Sequence, residues 1–469
     1  MPNPIDDSLI LGLRSLAKTL YESKVPKQVA LSTISTLLDQ AYDAETQEAV
    51  ATVTEPPKIQ LTSDQQLAWS KLNSFLKLSA DKAPVFVLKG FAGTGKSYLM
   101  KMLLTLPYNF VFSAPTNKAS KVLSDFLEQQ VKTTYSVLGL RMTAEEDKLV
   151  LKSHVNAPDL GSSPILVIDE AGMVPKFMAD MLRQACADQD WRIIFVGDPA
   201  QWNPIGEATS AVWSMAPVEH RAMLKEVKRF DNELLALSTA IRDKLKNKDY
   251  HLRIRNSNSS GNGIFVCSKY EFTQKIKALR LEDWSQAKVT AWRNSTVDEY
   301  NRIIRKSLGF TKEFEPNDLV LMGAPLVSDG AILAHTDEEL KIISVESRVF
   351  NFPEGQLDSY VIAVFDRPYT LFVPKDPGLL ESMLSKRAAL ASSLIGAARS
   401  KAWSTFWDLK NTFQSLRYGY AMTTHRMQGS TVDHIFVDQQ DILANPNKRE
   451  SFRGLYVAAT RPRLTLTTY

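Results

Sequence analysis

"VLKGFAGTGKSYLM", residues 87–100, decides the fold. An apolar run ends in a glycine-rich turn that closes on Lys96 and Ser97, and a helix-forming stretch follows. The segment fits G-x-x-x-x-G-K-[ST] at Gly90, Gly95, Lys96 and Ser97, in the strand, loop and helix context the motif requires. The loop through Ala92, Gly93, Thr94 and Gly95 offers backbone N–H groups to a β-phosphate. Lys96 then reaches the β and γ oxygens and Ser97 ligates Mg²⁺.

Further runs of the same texture lie on either side. "PVFVLKG", "NFVFSAP", "PILVIDE" and "WRIIFVGD" are nearly continuous in apolar residues, as strands buried on both faces of a parallel sheet are, and they alternate with helical segments. They predict a doubly wound α/β domain beginning near Leu61. "KVTAWRN", "DHIFVDQ" and "RLTLTTY" predict a second such sheet. Between them, residues 309–417 alternate as short strands ("DLVLMG", "ELKIISVE", "YVIAVFD", "TLFVPK") and then become helical, which reads as an inserted β-barrel with helices. Within that helical stretch Trp403, Phe406, Trp407 and Phe413 recur at mixed three- and four-residue spacing, best explained by helical packing, with support of a hairpin elsewhere in the chain as the alternative. The N-terminal 1–57 carries Leu9, Leu13, Leu16 and Leu20, then Val29, Ile34, Leu37 and Leu38, at helical spacing, and its end, with Pro56 and Pro57, lies in the linker "TVTEPPKIQ" (52–60).

Bulk properties narrow the class. A chain of 469 residues exceeds what one core organises, and 44% hydrophobic with 23% charged residues is ordinary for a soluble protein. A net charge of +4 is only mildly basic, so any nucleic-acid site is a local groove of charge. Cys186 and Cys267 stand in no metal-ligand spacing, and no apolar run approaches the roughly 18 residues that span a membrane. A cytoplasmic protein is expected.

A phosphate cradle alone does not separate a kinase, a switch and a motor. "ILVIDEAGM" ends a buried run in two carboxylates: Asp169 suits the Mg²⁺ contact and Glu170 the base that orients an attacking water. "GDPAQWNPI" places Gln201 to sense the γ-phosphate. Arg229 in "EVKRF" and Arg461 in "AATRPR" are candidate arginine fingers from the second α/β unit, which puts ATP in a cleft between domains.

"LTSDQQLAW", "GFAGTGKS", "SAPTNKAS", "VIDEAGM", "GDPAQWNPI", "EVKR", "TTHRMQGST" and "YVAATR" occur in the order of the superfamily 1 helicase motifs. Their wording resembles the RecD/Dda group, and within it the phage Dda type, from about residue 59 to the last. The resemblance implies two RecA-like P-loop motor domains. The first spans 58–221, with an inserted strand-separating hairpin at about 141–158. The second spans 222–308 and 418–469, interrupted by an SH3-like β-barrel with helices at 309–417. It implies that Gln65 reads adenine, that Gln428 and Gly429 face the nucleotide, and that single-stranded DNA is held by Pro115, Thr116, Asn117, Thr133, Tyr135 and Ser136. Arg293, Asn294, Thr423 and His425 would continue that track on the second motor. Tyr135 and Asn117 depart from the histidines common there, and tyrosine can stack on a base instead.

The implied activity is ATP-driven unwinding of DNA, 5′ to 3′, in phage-type replication or recombination (host cytoplasm if phage-encoded). ATP and Mg²⁺ are the implied cofactors. Single-stranded and forked duplex DNA are the implied partners, with a replication or single-strand-binding protein besides, for a monomer that uses no membrane. Two alternatives stay open: a translocase acting on RNA or displacing bound proteins, and a nucleotide-regulated binding protein or P-loop kinase.

Overall fold

A computed structural model describes residues 61–145, 148–153, 159–227, 233–259, 261–328 and 331–469. The expected N-terminal helical pair, its linker and Arg229 lie outside the described residues. Residues Thr62–Tyr469 form one compact unit.

The unit begins with helix α1 (Ser63–Leu76), started by a capping box in which the Thr62 hydroxyl accepts Gln65 N–H and the Gln65 side chain returns a bond to the Thr62 backbone. Strand β1 (Val85–Gly90) runs into the glycine-rich loop and helix α2 (Lys96–Leu103). β2 (Phe110–Ala114), helix α3 (Asn117–Leu127), β3 (Lys132–Thr133), β6 (Ile165–Ile168), β7 (Arg192–Gly197) and β8 (Arg221–Leu224) complete the first layer. The sheet order is β3-β2-β6-β7-β1-β8, with all pairs parallel. The apolar runs read from the sequence are its four central strands, and Leu166, Val167, Ile193, Ile194 and Phe195 are fully buried. Because β1, β6 and β7 are parallel, their C-terminal ends lie at one edge, where doubly wound sheets bind ligands. Gly90, Asp169 and Asp198 are therefore neighbours despite their distance in sequence. β8 pairs with β1 through Gly90↔Leu224, so the first sheet continues past residue 221. An antiparallel hairpin, β4 (Leu140–Glu145) and β5 (Lys148–Ser153), occupies the interval before β6.

Helix α4 (Glu233–Asn247) leads into a second sheet built from β9 (Ser257–Ser259), β10 (Asn262–Val266), β11 (Ala287–Ala291), β19 (Ala421–Thr423), β20 (Val432–Val437) and β21 (Pro462–Thr468). Its order is β19-β11-β20-β21-β10-β9, parallel except for β9. Helices α5 (Asn294–Ser307), α8 (Thr424–Met427) and α9 (Lys448–Ala459) flank it, with every residue of α9 from Ser451 to Ala459 buried.

Between α5 and β19 the chain forms β12 (Leu319–Met322), the ribbon β13 (Leu326–Ser328) and β14 (Ala331–Ala334), the long pair β15 (Glu339–Phe352) and β16 (Gly355–Val364), and β17 (Thr370–Pro374). With β18 (Leu416–Tyr418) these give a five-stranded antiparallel sheet, β17-β16-β15-β12-β18, beside the two-stranded ribbon. Helices α6 (Pro377–Ser393) and α7 (Gly396–Thr412) pack on the far end of the long pair. There Phe413 joins Leu357, Met383 and Leu409 in a small core, and Phe406 is buried edge-on to Trp403 and Trp407. The insertion is pinned where the chain leaves and re-enters the second sheet. Asp318 accepts Arg305 Nε at 2.9 Å and the Tyr420 hydroxyl at 2.8 Å. Burial pushes the Asp318 carboxyl up while the Arg305 guanidinium pulls it down, a balance that holds only while both partners are present.

Candidate active site and nucleic-acid cleft

The glycine-rich loop closes on itself. Gly93 and Gly95 adopt φ of 77° and 83°, the left-handed region open to glycine. Thr94 donates its hydroxyl to Phe91 O, and Lys96 Nζ lies over the loop carbonyls, 2.9 Å from Gly90 O and 3.0 Å from Phe91 O. A cavity of about 470 Å³ opens on the loop. Ala92, Gly93, Gly95, Lys96, Ser97, Asp169, Glu170, Gln201, Gly429 and Arg461 all line it. Residues from both sheets thus meet around one volume.

Burial, then the neighbouring Glu170 charge, push the Asp169 carboxyl up to about 7, with Lys96 pulling it down. Asp169 Oδ1 accepts Glu170 N–H at 2.8 Å, and Glu170 sits at φ 48°. A half-buried carboxylate in this cavity suits a cation. Ser97 Oγ and the Asp169 carboxylate are hard oxygen donors of the kind Mg²⁺ prefers. Two such donors leave the rest of the ion's oxygen shell to phosphate and water. The donor set fits the ion.

Gln201 Nε2 donates to Asp198 Oδ2 at 3.3 Å, and its Oε1 is buried without a protein partner. Arg461 lies in the cavity wall, with its guanidinium donating to Val457 O, Ser430 O and Thr460 Oγ1. Gln65 sits behind the loop instead of in the cavity. Its Nε2 donates to Thr94 O at 3.0 Å and its Oε1 accepts Thr62 N–H, so both ends of the amide brace the loop.

A second cavity, of about 500 Å³, lies against the first. Pro115, Thr116, Asn117, Thr133, Tyr135 and His425 line it, with Lys118, Glu170, Asp337, Arg426, Gln428 and Gly429. Six of the residues expected on a nucleic-acid track are therefore brought together. Thr116 and Thr133 also cap helices, their hydroxyls accepting the N–H groups of Ala119 and Ser136. Ser136 is exposed beside the cavity, and Thr423 is buried at the N-cap of α8. Arg293 and Asn294 fall elsewhere, at the start of α5. There Arg293 Nε pairs with Asp441 at 2.5 Å, and that carboxylate also accepts the Trp292 and Arg293 backbone N–H groups.

Two family models match the chain. An AAA domain covers residues 64–258, and the UvrD-like helicase C-terminal domain covers residues 418–467. The chain is 26% identical to the ATP-dependent DNA helicase Dda of Enterobacteria phage T4, over 86% of this chain and 98% of that protein. In sequence the chain is similar to the Dda-type helicases of superfamily 1. An uncharacterised protein of Acanthamoeba polyphaga mimivirus is likewise 26% identical, over 85% of this helicase and 97% of its own length. In fold, the helicase matches a solved Pif1 helicase at a TM-score of 0.51 and 16% identity, covering 87% of this chain and 92% of that one. That Pif1 structure addresses DNA unwinding at forked double-stranded DNA by two coordinating Pif1 helicases.

The helicase also has contacts that its motifs do not advertise. Gln428 Nε2 donates to Glu170 Oε2 at 3.1 Å, bridging the second motor to the carboxylate of the first. Tyr456 of α9 donates to Asp198 Oδ2 at 2.7 Å, and its oxygen accepts Ala92 N–H of the phosphate loop at 3.3 Å. Arg242 stacks its guanidinium 3.8 Å from the Phe91 ring centroid. Lys118 donates to Arg426 O at 2.5 Å, and burial pushes its ammonium down to about 8. Tyr456 and Phe91 stand inside helicase motifs, yet an aromatic in a motif carries no sequence mark of the partner it reaches. Lys118 stands inside the motif "SAPTNKAS" as well, whereas Arg242 lies outside the motifs.

Proposed function

We propose that this chain is an ATP-dependent DNA helicase: it hydrolyses ATP to ADP and phosphate and uses the cycle to move along single-stranded DNA and separate duplex. One observation carries the reading. Glu170 and Gly429 line both the nucleotide cavity and the nucleic-acid cleft, and Gln428, in the wall of the cleft, is hydrogen-bonded to Glu170. A strand that shifts α8 therefore shifts the group that handles water.

In this mechanism Lys96 and the loop amides hold the phosphates and Glu170 orients the attacking water. Arg461, brought by the second motor, stabilises charge on the transferred phosphoryl group, as Arg229 would from its own segment. Mg²⁺, held by Ser97 and Asp169, would neutralise charge on the phosphate oxygens. Pro115, Thr116, Asn117, Thr133 and Tyr135 grip the strand from the first motor and His425 from the second, with Ser136, Arg293, Asn294 and Thr423 extending the track. Gln65 supports adenine recognition through the loop it braces. Alternating grip as the cleft closes and opens ratchets the strand towards the β4–β5 hairpin, and the resemblance to the Dda type supports 5′ to 3′ movement on forked DNA.

Two measurements test this. ATP hydrolysis should rise strongly with single-stranded DNA and not with RNA of equal length; equal or greater stimulation by RNA would reassign the track. Unwinding should require a 5′ overhang, and activity only on 3′-tailed duplex would reverse the polarity.

A further inference from the structure

The nucleic-acid cleft has a third wall, supplied by the insertion. Between β14 and β15 the chain turns tightly through His335–Glu338, with His335 N–H donating to Glu338 Oε2 at 2.8 Å and Glu338 N–H to His335 O at 3.1 Å. Arg367 pairs with Glu338 Oε1 at 2.7 Å, and Asp337 N–H donates to Met322 O of β12 at 2.8 Å, so the turn is held from both sides. Its tip places Thr336 and Asp337 in the cleft beside residues of both motors. Asp337 stands at φ 61°, a left-handed backbone that aspartate and asparagine tolerate better than most side chains.

A carboxylate in a cleft that receives a polyanion is out of place on charge alone, because it repels the phosphates that nearby cations attract. Its partner explains it. Asp337 Oδ1 lies 2.8 Å from Arg426 Nη1 of α8, yet both atoms are buried without a hydrogen bond of ordinary geometry. The charges touch, but the guanidinium fork is not matched to the carboxylate. A strand phosphate carries the same charge and has oxygens free to align with that fork in the two-pronged way arginine favours. Lys118 of α3 donates to Arg426 O, and the Asp337 charge also favours the charged form of that ammonium. One acid of the insertion therefore faces a cation from each motor.

Resting on the helicase reading above, we propose that Asp337 is an internal substitute for a strand phosphate: it competes with DNA for Arg426, and so sets how tightly the cleft grips and how readily it lets go. When a phosphate leaves, Asp337 returns to Arg426, and no guanidinium is stranded in the cleft wall without a counter-charge. Release is thereby eased at the step of the cycle that requires it.

The test measures equilibrium binding and dissociation of fluorescein-labelled oligo(dT) with wild type, Asp337→Asn, Arg426→Gln and the double variant. Asp337→Asn keeps the side-chain shape and suits the left-handed turn. It should bind oligo(dT) about tenfold tighter, mainly through slower dissociation, where changes within one interface usually appear. Arg426→Gln should cost about threefold alone but about thirtyfold in the Asp337→Asn background, because only there is the guanidinium free for phosphate. Unchanged or weaker binding by Asp337→Asn would overturn the proposal. So would a gain that persists in full in the Arg426→Gln background, which is what plain repulsion between Asp337 and the strand gives. Should Asp337→Asn fail to fold, Asp337→Gly decides by the same comparison, since glycine accepts that backbone angle freely. Failure of the helicase reading looks different, because wild type itself would then not bind oligo(dT).

Discussion

Replacing Tyr456 by phenylalanine removes one oxygen from the contact between the motors and leaves the buried ring in place. That oxygen serves two partners. It donates to the Asp198 carboxylate at 2.7 Å and accepts Ala92 N–H at the long distance of 3.3 Å. A hydrogen bond to a charged group contributes about 1.5–3 kcal/mol, and the long amide contact less than about 1. Asp198 keeps Ala200 N–H at 2.9 Å and the weak Gln201 contact at 3.3 Å, so it is not stranded. The expected loss is therefore about 2–3 kcal/mol of contact between the motors, or roughly a 30-fold to 150-fold rise in the population of locally opened molecules. Amide hydrogen exchange reads this directly at Ala92 and Ala200, whose N–H groups bond to Tyr456 and Asp198. Both should exchange faster by about that factor, while amides in the centre of β7 keep their wild-type protection. Because the hydroxyl is held far above the ordinary tyrosine range by burial and by Asp198, the effect should not change between pH 6 and pH 9. Unchanged protection at Ala92 and Ala200 would refute the reasoning, since the oxygen would then hold nothing that the remaining contacts do not.

Glu170→Gln should keep ATP affinity within about twofold and lower turnover about 10²-fold to 10⁴-fold, the usual share of a positioned base; normal turnover in a single-turnover assay would remove Glu170 from that role. Arg461→Ala should depress DNA-stimulated hydrolysis about a thousandfold with little change in DNA affinity, and Arg461→Lys should recover part of it; lost DNA binding with normal turnover would move Arg461 to the DNA track. If the Lys118 ammonium, which lines the cleft, attracts the strand's phosphates, the affinity for single-stranded DNA should weaken as pH rises through about 8, because the half-buried ammonium is charged below that value and neutral above it. Burial is the main cause of its low value, with Arg461 and Lys288 adding to it and Asp337 and Glu339 opposing it. Lys118→Arg stays charged, so a pH profile that keeps the same step in that variant would sink the assignment.

What could be read in the sequence was what is written locally. The phosphate loop, the acidic pair at 169 and 170 and the buried strands each depend on neighbours a few residues away, so spacing and apolarity reveal them. The six contacts that the resemblance implied meet in one cleft because five of them stand at or after the ends of β2 and β3 in the first sheet and His425 follows β19 in the second. The exceptions have physical causes. Arg293, expected on the DNA track, is paired with Asp441, about 150 residues later, and no local pattern announces a partner at that distance. Gln65 reads as a base-recognition residue, yet its amide is spent on a capping bond and a loop carbonyl, a use that needs the loop's three-dimensional path. Strand β10, at "NGIFV", is short and bordered by polar residues, and it gains its place by pairing with β21, about 200 residues away. The contacts that join the two motors are the least legible of all. Trp202, Arg453 and Tyr456 look like a loop aromatic and two helix residues, and each finds its partner only across the cleft. A motif records which groups meet the ligand. The groups that join the two motors leave no periodic trace, and only the packed structure exposes them.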